Sequence, residues 1–307
     1  MFAFALRRLL HAVPSLFVLL TLAFFMMRAA PGGPFDSERS LPPQIEAALR
    51  SEYRLDAPLW RQYLDYVSAL AHGDLGPSFQ YEGYRVTELI AAGLPVSLAL
   101  GACALLLALL AGGAIGVLAA RRPGRVLDHL LTNLALLGVS IPNYVIAPLL
   151  ILLFAITLGW LPAGGWHRGG FADMVLPVIA LALPQIAYIA RVLRVSLIDA
   201  LATPYLRTAR ARGLPERLLI FRHALRPALL PVISHLGPAA AGLLTGSVVI
   251  EQIFGIPGLG RYFVQAALNR DYTLVLGVVL LYGALILIFN FVVDLLYGAL
   301  DPRLRVT

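Results

Sequence analysis

Ser140, Ser247 and His235 are the side chains whose types would support nucleophilic chemistry, either hydroxyl as nucleophile and the imidazole as a distant base. No Gly-x-Ser-x-Gly surrounds either serine, and a serine in an apolar helix commonly spends its hydroxyl on its own backbone or a neighbouring helix. Metal chemistry has no better footing. His11, His72, His129, His167, His223 and His235 include no pair three or four apart and no His-Glu-x-x-His, so no metal site is expected. Cys103 is the single cysteine, too few for an internal disulfide or a thiolate cluster, and it reads as a small packing residue. All 24 basic residues are arginine. Without lysine there is neither a P-loop cation for terminal phosphates nor an imine-forming amine. The run GIPGLG at 255–260 has glycine spacing like a phosphate loop, but no strand precedes it and no lysine follows, which predicts a re-entrant turn. The expectation is a chain with no catalytic residue and no cofactor of its own.

The elements that carry these residues follow from composition. At 59% hydrophobic and 13% charged, the chain has too little polar surface to cover itself in water. Charge-free intervals run from Leu9 to Met27, Leu89 to Ala120, His129 to His167, Met174 to Ala190, Pro227 to Ile250 and Tyr272 to Val293. Each can supply the roughly 17–25 residues of a crossing helix. An arginine or aspartate at the centre of any of them would cost about 2.5–3.5 kcal/mol. Six crossings and an all-α polytopic membrane fold are predicted. Arg7 and Arg8 precede an apolar stretch of 19 residues, longer than the roughly 7–15 of a cleaved signal, so the first span is expected to be retained.

Arginine distribution sets the orientation. With both termini cytoplasmic, the inner side holds Arg7, Arg8, Arg121, Arg122, Arg125, Arg191, Arg194, the six arginines from Arg207 to Arg226, Arg303 and Arg305. The predicted organisation is a first segment and span over 1–30, an external region over 31–93, and a core with five further spans over 94–307 that includes a cytoplasmic loop at 199–226.

That loop, DALATPYLRTARARGLPERLLIFRHALRP, is a basic stretch between two apolar spans. Thr203 and Pro204 form a helix start, with the hydroxyl expected to cap a backbone N–H, and Gly213 supplies a left-handed stop about nine residues on. Leu206, Ala209 and Arg210 share one face, and Arg207, Ala211 and Leu214 another. A helix this short is marginal in water and must be held by its flanks or by a partner. From the residues alone, a docking helix for a soluble partner and a topology loop on anionic headgroups both stand.

YLRTARARGL followed by FRHALRPALLP resembles the cytoplasmic loop of permease subunits in the dipeptide, oligopeptide and nickel group of binding-protein-dependent ABC importers. RLDAPLWRQYLDYVSALAHGDLGPSF, VSIPNY, LPAGGW, EQIFGIPGLGRY and NFVVDLLYGALDPRLR extend the likeness in order along nearly the whole chain, and the order resembles the first, B-type, permease. The resemblance implies a type I importer permease fold with six membrane helices in the bacterial inner membrane. It implies as partners a C-type permease, two cytoplasmic ATPases that carry the ATP and Mg, and an extracytoplasmic binding protein. It makes Arg207, Thr208, Ala209, Arg210, Ala211, Arg212, Gly213 and Leu214 the coupling residues, with His223 bracing the return segment. Peptides, glutathione and nickel chelates all fall within the group.

Asn143, Gln185, Tyr188, Ser247, Glu251 and Asn290 are the polar residues in or beside the spans that are expected to line a path, since such groups face protein or water rather than lipid. Glu251 is also a candidate gate. Trp60, Tyr63 and Leu64 have helical spacing, so the aromatic series Trp60, Tyr63 and Tyr66 reads chiefly as part of a packed external cap. A stand-alone secondary transporter or channel is the alternative; it would favour inverted repeats and paired broken helices, for which Pro142, Pro148 and Pro184 are the candidate breaks.

Overall fold

The first charge-free interval lies inside one helix, α1 (Phe2–Ala29), in the computed structural model, which describes residues 2–30, 33, 44, 51, 55–167 and 170–300. Most of the segment from 31 to 54, part of the region expected to be external, lies outside the described residues, together with Arg303 and Arg305. Further helices among the described residues are α2 (Leu59–Ala71), α3 (Val86–Ala120), α4 (Val126–Ser140), α5 (Asn143–Leu150), α6 (Phe171–Leu201), α7 (Pro204–Ala211), α8 (Leu230–Phe254), α9 (Leu259–Leu268) and α10 (Tyr272–Leu300), with short helical pieces at Glu216–Leu218 and Leu225–Ala228. Among the described residues the only β pairing is an isolated bridge between Pro77 and Arg85.

Among the described residues five helices are long and apolar enough to cross a bilayer: α1, α3, α6, α8 and α10. The third expected crossing is instead divided into α4 and then α5, which runs on as a wider π-helical stretch over Ile151–Thr157. Pro142 explains the break, because its ring bars the preceding Ile141 from helical geometry and Pro142 itself stands at ψ 143°. Pro148 and Pro184 do not break their helices: α5 contains Pro148, and α6 runs through Pro177 and Pro184. Two prolines four or more residues inside a 31-residue helix cost local backbone bonds, which surrounding helices can make good.

The chain divides into two compact units, with boundaries inside α3 and α10. One comprises 98–256 and the end of α10 from Ile286, and α6 is its hub. In lipid there is little hydrophobic force between helices, so close backbone approach through small residues takes its place. Gly112 and Gly116, one turn apart on α3, lie so near α6 that a Cβ on either would stand 2.8 Å from the carbonyl oxygens of Ile186 and Ala190, and Gly138 of α4 meets the Leu183 carbonyl in the same way. Gly116→Leu is therefore expected to cost about 1–3 kcal/mol through overpacking, read as a lowered melting temperature in detergent. Cys103, expected to be a packing residue, is exposed on α3. That helix is apolar all round, so its sequence did not mark which face is covered.

The other unit comprises residues up to Ser97 and 257–285. Leu20 and Phe24 of α1 and Leu276 of α10 form a core against Tyr63, Tyr66, Val67 and Leu70 of α2. Phe24 meets the Tyr63 ring edge-on at 5.2 Å, and the Tyr63 hydroxyl lies 2.7 Å from that of Thr21. The aromatic cap is thus packing at Tyr63 and Tyr66, while Trp60 is 64% exposed. Asp271, fully buried ahead of α10, gathers the turn around Ser78: it accepts hydrogen bonds from the Ser78 hydroxyl, the Gln80 N–H at 3.1 Å, the Thr273 hydroxyl at 3.0 Å and the Leu274 N–H at 3.1 Å. The GIPGLG run turns at Gly255 (φ 65°) and then opens α9, whose first N–H, on Leu259, donates to the buried Ser97 hydroxyl at 2.9 Å. That turn is spent on internal packing.

Candidate functional site: the basic loop and the polar side chains along α8

Between α6 and α7 stand only Ala202 and Thr203, so the basic helix follows directly from a crossing helix. Pro204 occupies its first turn, as expected. The Thr203 hydroxyl differs from expectation: it donates back to the Ala200 carbonyl at 2.6 Å and caps no N–H of α7. A hydroxyl on the last turn of a long helix has that carbonyl within reach before α7 begins. The end of α7 is built as its sequence indicates. Gly213 stands at φ 82°, its N–H bonds to Arg210 O at 3.0 Å, and the Leu214 N–H reaches back to Ala209 O at 3.3 Å, the Schellman pairing that satisfies orphan carbonyls.

One side chain anchors this helix. Leu206 is 1% exposed, and α7 packs on the return segment, where Leu219, Ile220 and Ala224 are buried. Arg207, Thr208, Arg210, Ala211, Arg212 and Gly213 are exposed, with Ala209 and Leu214 half-buried. Arg210 forms a bidentate pair with Glu216 across the turn (Nη2 to Oε1 2.7 Å, Nε to Oε2 3.1 Å). Both partners are about half exposed, so the pair shapes the loop more than it stabilises it. The surface offered outward is small-sided and cationic through Arg207 and Arg212. His223 lies on a π-helical stretch, Leu219–Ala224, and it is its carbonyl that meets the Tyr205 hydroxyl, at 3.5 Å. Pro227, four residues on, has no N–H to give that carbonyl.

A buried ion pair that sequence reading missed joins α4 to α6. Asp128, in the first turn of α4, is 1% exposed and accepts both Arg194 Nε at 2.5 Å and Arg194 Nη2 at 2.6 Å from α6. The Gly124 N–H donates to it at 2.8 Å and the Thr132 hydroxyl at 3.3 Å. The guanidinium hydrogen bonds hold the Asp128 carboxyl well below the usual carboxylate range, against the opposing effect of burial. Asp128 lies just outside a charge-free interval, and a contact across 66 residues leaves no periodic trace in sequence.

The expected path residues fall on or against α8, in three places. Gln185 and Tyr188 of α6 meet His235 of α8, whose ring stacks on Tyr188 with centroids 3.7 Å apart and whose Nε2 lies 3.3 Å from Gln185 Oε1. Asn290 of α10 presses on Gly237, where a Cβ would stand 2.6 Å from its Oδ1. Asn143 opens α5 beside Gly246. Ser247 and Glu251 are fully buried, and the Ser247 hydroxyl donates to the Leu244 carbonyl of its own helix at 2.7 Å, the bond expected of a structural serine. No group of three or more potential metal ligands occurs among the described residues.

Residues 112–306 match the family described as binding-protein-dependent transport system inner membrane component. Over 305 residues the chain is 53% identical to the oligopeptide transport system permease protein OppB of Salmonella typhimurium, covering 99% of this chain and 100% of that one. It is 52% identical to OppB of Escherichia coli K12 over the same shares, and 42% identical to the dipeptide transport system permease protein DppB of Bacillus subtilis, over 98% and 97% of the two chains. Among solved structures, a chain of the MetNI methionine ABC transporter in an inward-facing conformation superposes with a TM-score of 0.59 at 20% identity, over 69% of this chain and 96% of that one. A chain of an amino acid ABC transporter with histidines gives 0.55 at 20% identity, over 69% and 94%. The fold is that of a type I importer permease.

Proposed function

The chain belongs to the family of binding-protein-dependent transport system inner membrane components, and from that premise we propose that it is the B-type permease subunit of an ATP-driven importer of oligopeptides. It is a multi-pass inner membrane protein. The observation that carries the substrate class is full-length identity of 53% to an oligopeptide permease, against 42% to a dipeptide permease. In this reading a C-type permease completes the path, two cytoplasmic ATPases hold ATP and Mg, and an extracytoplasmic binding protein delivers the peptide. Both termini and the 199–226 loop are cytoplasmic.

The geometry supplies a mechanism for the loop. Arg207, Thr208, Arg210, Ala211 and Arg212 offer an exposed surface to an ATPase, and the small side chains let the partner approach the backbone. A push on α7 passes into α6 through two connecting residues, into α4 through Arg194 and Asp128, and into α8 through the return segment. This loop thereby moves the helices that carry Gln185, Tyr188 and His235. Deleting the chain is expected to abolish ATP-dependent uptake of labelled tri- to pentapeptides, with restoration by the intact gene; unchanged uptake of every such peptide would remove the substrate assignment.

A further inference from the structure

The cluster of Gln185, Tyr188 and His235 is a finished arrangement with unspent hydrogen-bonding capacity. Gln185 stands near the middle of the 31-residue α6, about 21 Å from its outer end at 1.5 Å per residue. Tyr188 follows one turn later on the same face, and His235 comes across from α8. The stacked rings fix one another, and the Gln185 carbonyl oxygen receives the imidazole Nε2–H, which leaves Nδ1 as an acceptor. The Gln185 amide nitrogen, the Tyr188 hydroxyl and His235 Nδ1 have no protein hydrogen-bond partner among the described residues, and all three residues are only half-buried. Polar atoms left open at this depth would each cost several kcal/mol against hydrocarbon, so this face looks onto water or a solute. Along α8 the exposed positions immediately before and after His235 are Ser234 and Pro238, and then Gly242 and Thr245; the exposed large aliphatic side chain of this helix, Val249, comes only nearly four turns beyond His235.

We propose that Gln185, Tyr188 and His235 form a binding site in the translocation path for the main-chain amide groups of a peptide in transit, a proposal that rests on the peptide-importer reading above. The chemistry favours an amide over other peptide groups. A peptide unit offers one N–H and one C=O; His235 Nδ1 accepts the first, and the Gln185 amide or the Tyr188 hydroxyl donates to the second. No cation in the cluster selects a terminal carboxylate, and no acid selects an amine. Such a site reads what all peptides share and is indifferent to their side chains, and neutral partners release the solute as readily as they take it.

The test uses the complete importer reconstituted in proteoliposomes with its binding protein at saturation, with uptake of tri-alanine compared to that of its backbone N-methylated analogue. Tyr188→Phe keeps the stacked ring and removes only the hydroxyl, and Gln185→Leu and His235→Leu remove the other two groups. Each variant is expected to lower tri-alanine uptake by about five- to twentyfold, the scale of one or two hydrogen bonds. The ratio of tri-alanine to N-methylated uptake should also fall in His235→Leu, which loses the acceptor for the peptide N–H, whereas Tyr188→Phe and Gln185→Leu, which lose donors to the C=O, should lower both peptides alike; His235→Asn, which keeps an acceptor, should recover part of the loss. The binding protein is common to all samples, so a change in the ratio belongs to this site. If the intact importer takes up tri-alanine and Tyr188→Phe matches it in rate while His235→Leu matches it in ratio, the site is refuted. If the intact importer takes up neither peptide, the substrate reading fails instead.

Discussion

Replacing Asp128 with alanine is expected to destabilise the protein by about 3 kcal/mol, the lower end of the cost of breaking a buried ion pair. The lower end applies because Arg194 keeps 25% of its side chain exposed and water can meet part of its charge. The loss has three parts: the Arg194 guanidinium gives up two charge-assisted bonds, the Gly124 N–H gives up its acceptor, and the first turn of α4 loses a carboxylate that its dipole favours. Arg194→Ala should cost a similar amount by stranding a carboxylate that is 1% exposed. A double variant lacking both groups should be less damaged than the sum of the two, with a coupling of about 1–3 kcal/mol in a double-mutant cycle of thermal unfolding in detergent. Additive losses would mean that the contact is incidental.

The second large effect belongs to the loop. Gly213→Pro is expected to abolish ATP-dependent uptake, because proline is fixed near φ −65° and the residue stands at φ 82°. The Gly213 N–H bond to Arg210 O would go as well, and with it the termination of α7. Gly213→Ala is the graded control: nothing lies within 4 Å of a Cβ built there, so only the left-handed backbone is strained, by about 1–2 kcal/mol, and partial uptake should survive. Leu206→Asp should reach the same null result by another route, since a carboxylate at the helix's one buried side chain releases α7 from the return segment.

What could be read from the sequence, and what could not, divides along physical lines. Charge-free length marks α1, α3, α6, α8 and α10, because the energy of a charge in a bilayer acts on each segment separately. Local chain chemistry marks the stop at Gly213 and the break at Pro142, both backbone constraints that need no tertiary partner. The same local reasoning misjudged Pro184, since a neighbourhood of packed helices sustains α6 through it, and Thr203, whose hydroxyl had a nearer acceptor. Nothing local announces Asp128 and Arg194, the Asp271 cluster or the stacking of His235 on Tyr188, which join residues 66, 193 and 47 positions apart or nearly so. The residues proposed to couple to an ATPase are singled out by likeness to a family rather than by their own spacing, which suits a lipid-facing loop equally well. For the path residues, sequence named Gln185 and Tyr188 but took His235 only as a remote base, because facing helices cannot be paired from polarity alone.

The central claim is that this chain grips a separate ATPase through α7, and purification in mild detergent from its native membrane tests it most directly. The intact chain should bring with it a soluble ATPase and a second multi-span permease, and Gly213→Pro should lose the ATPase while keeping the permease. A stable, solitary protein that carries no ATPase, or an ATPase retained equally by the Gly213→Pro variant, would contradict the account.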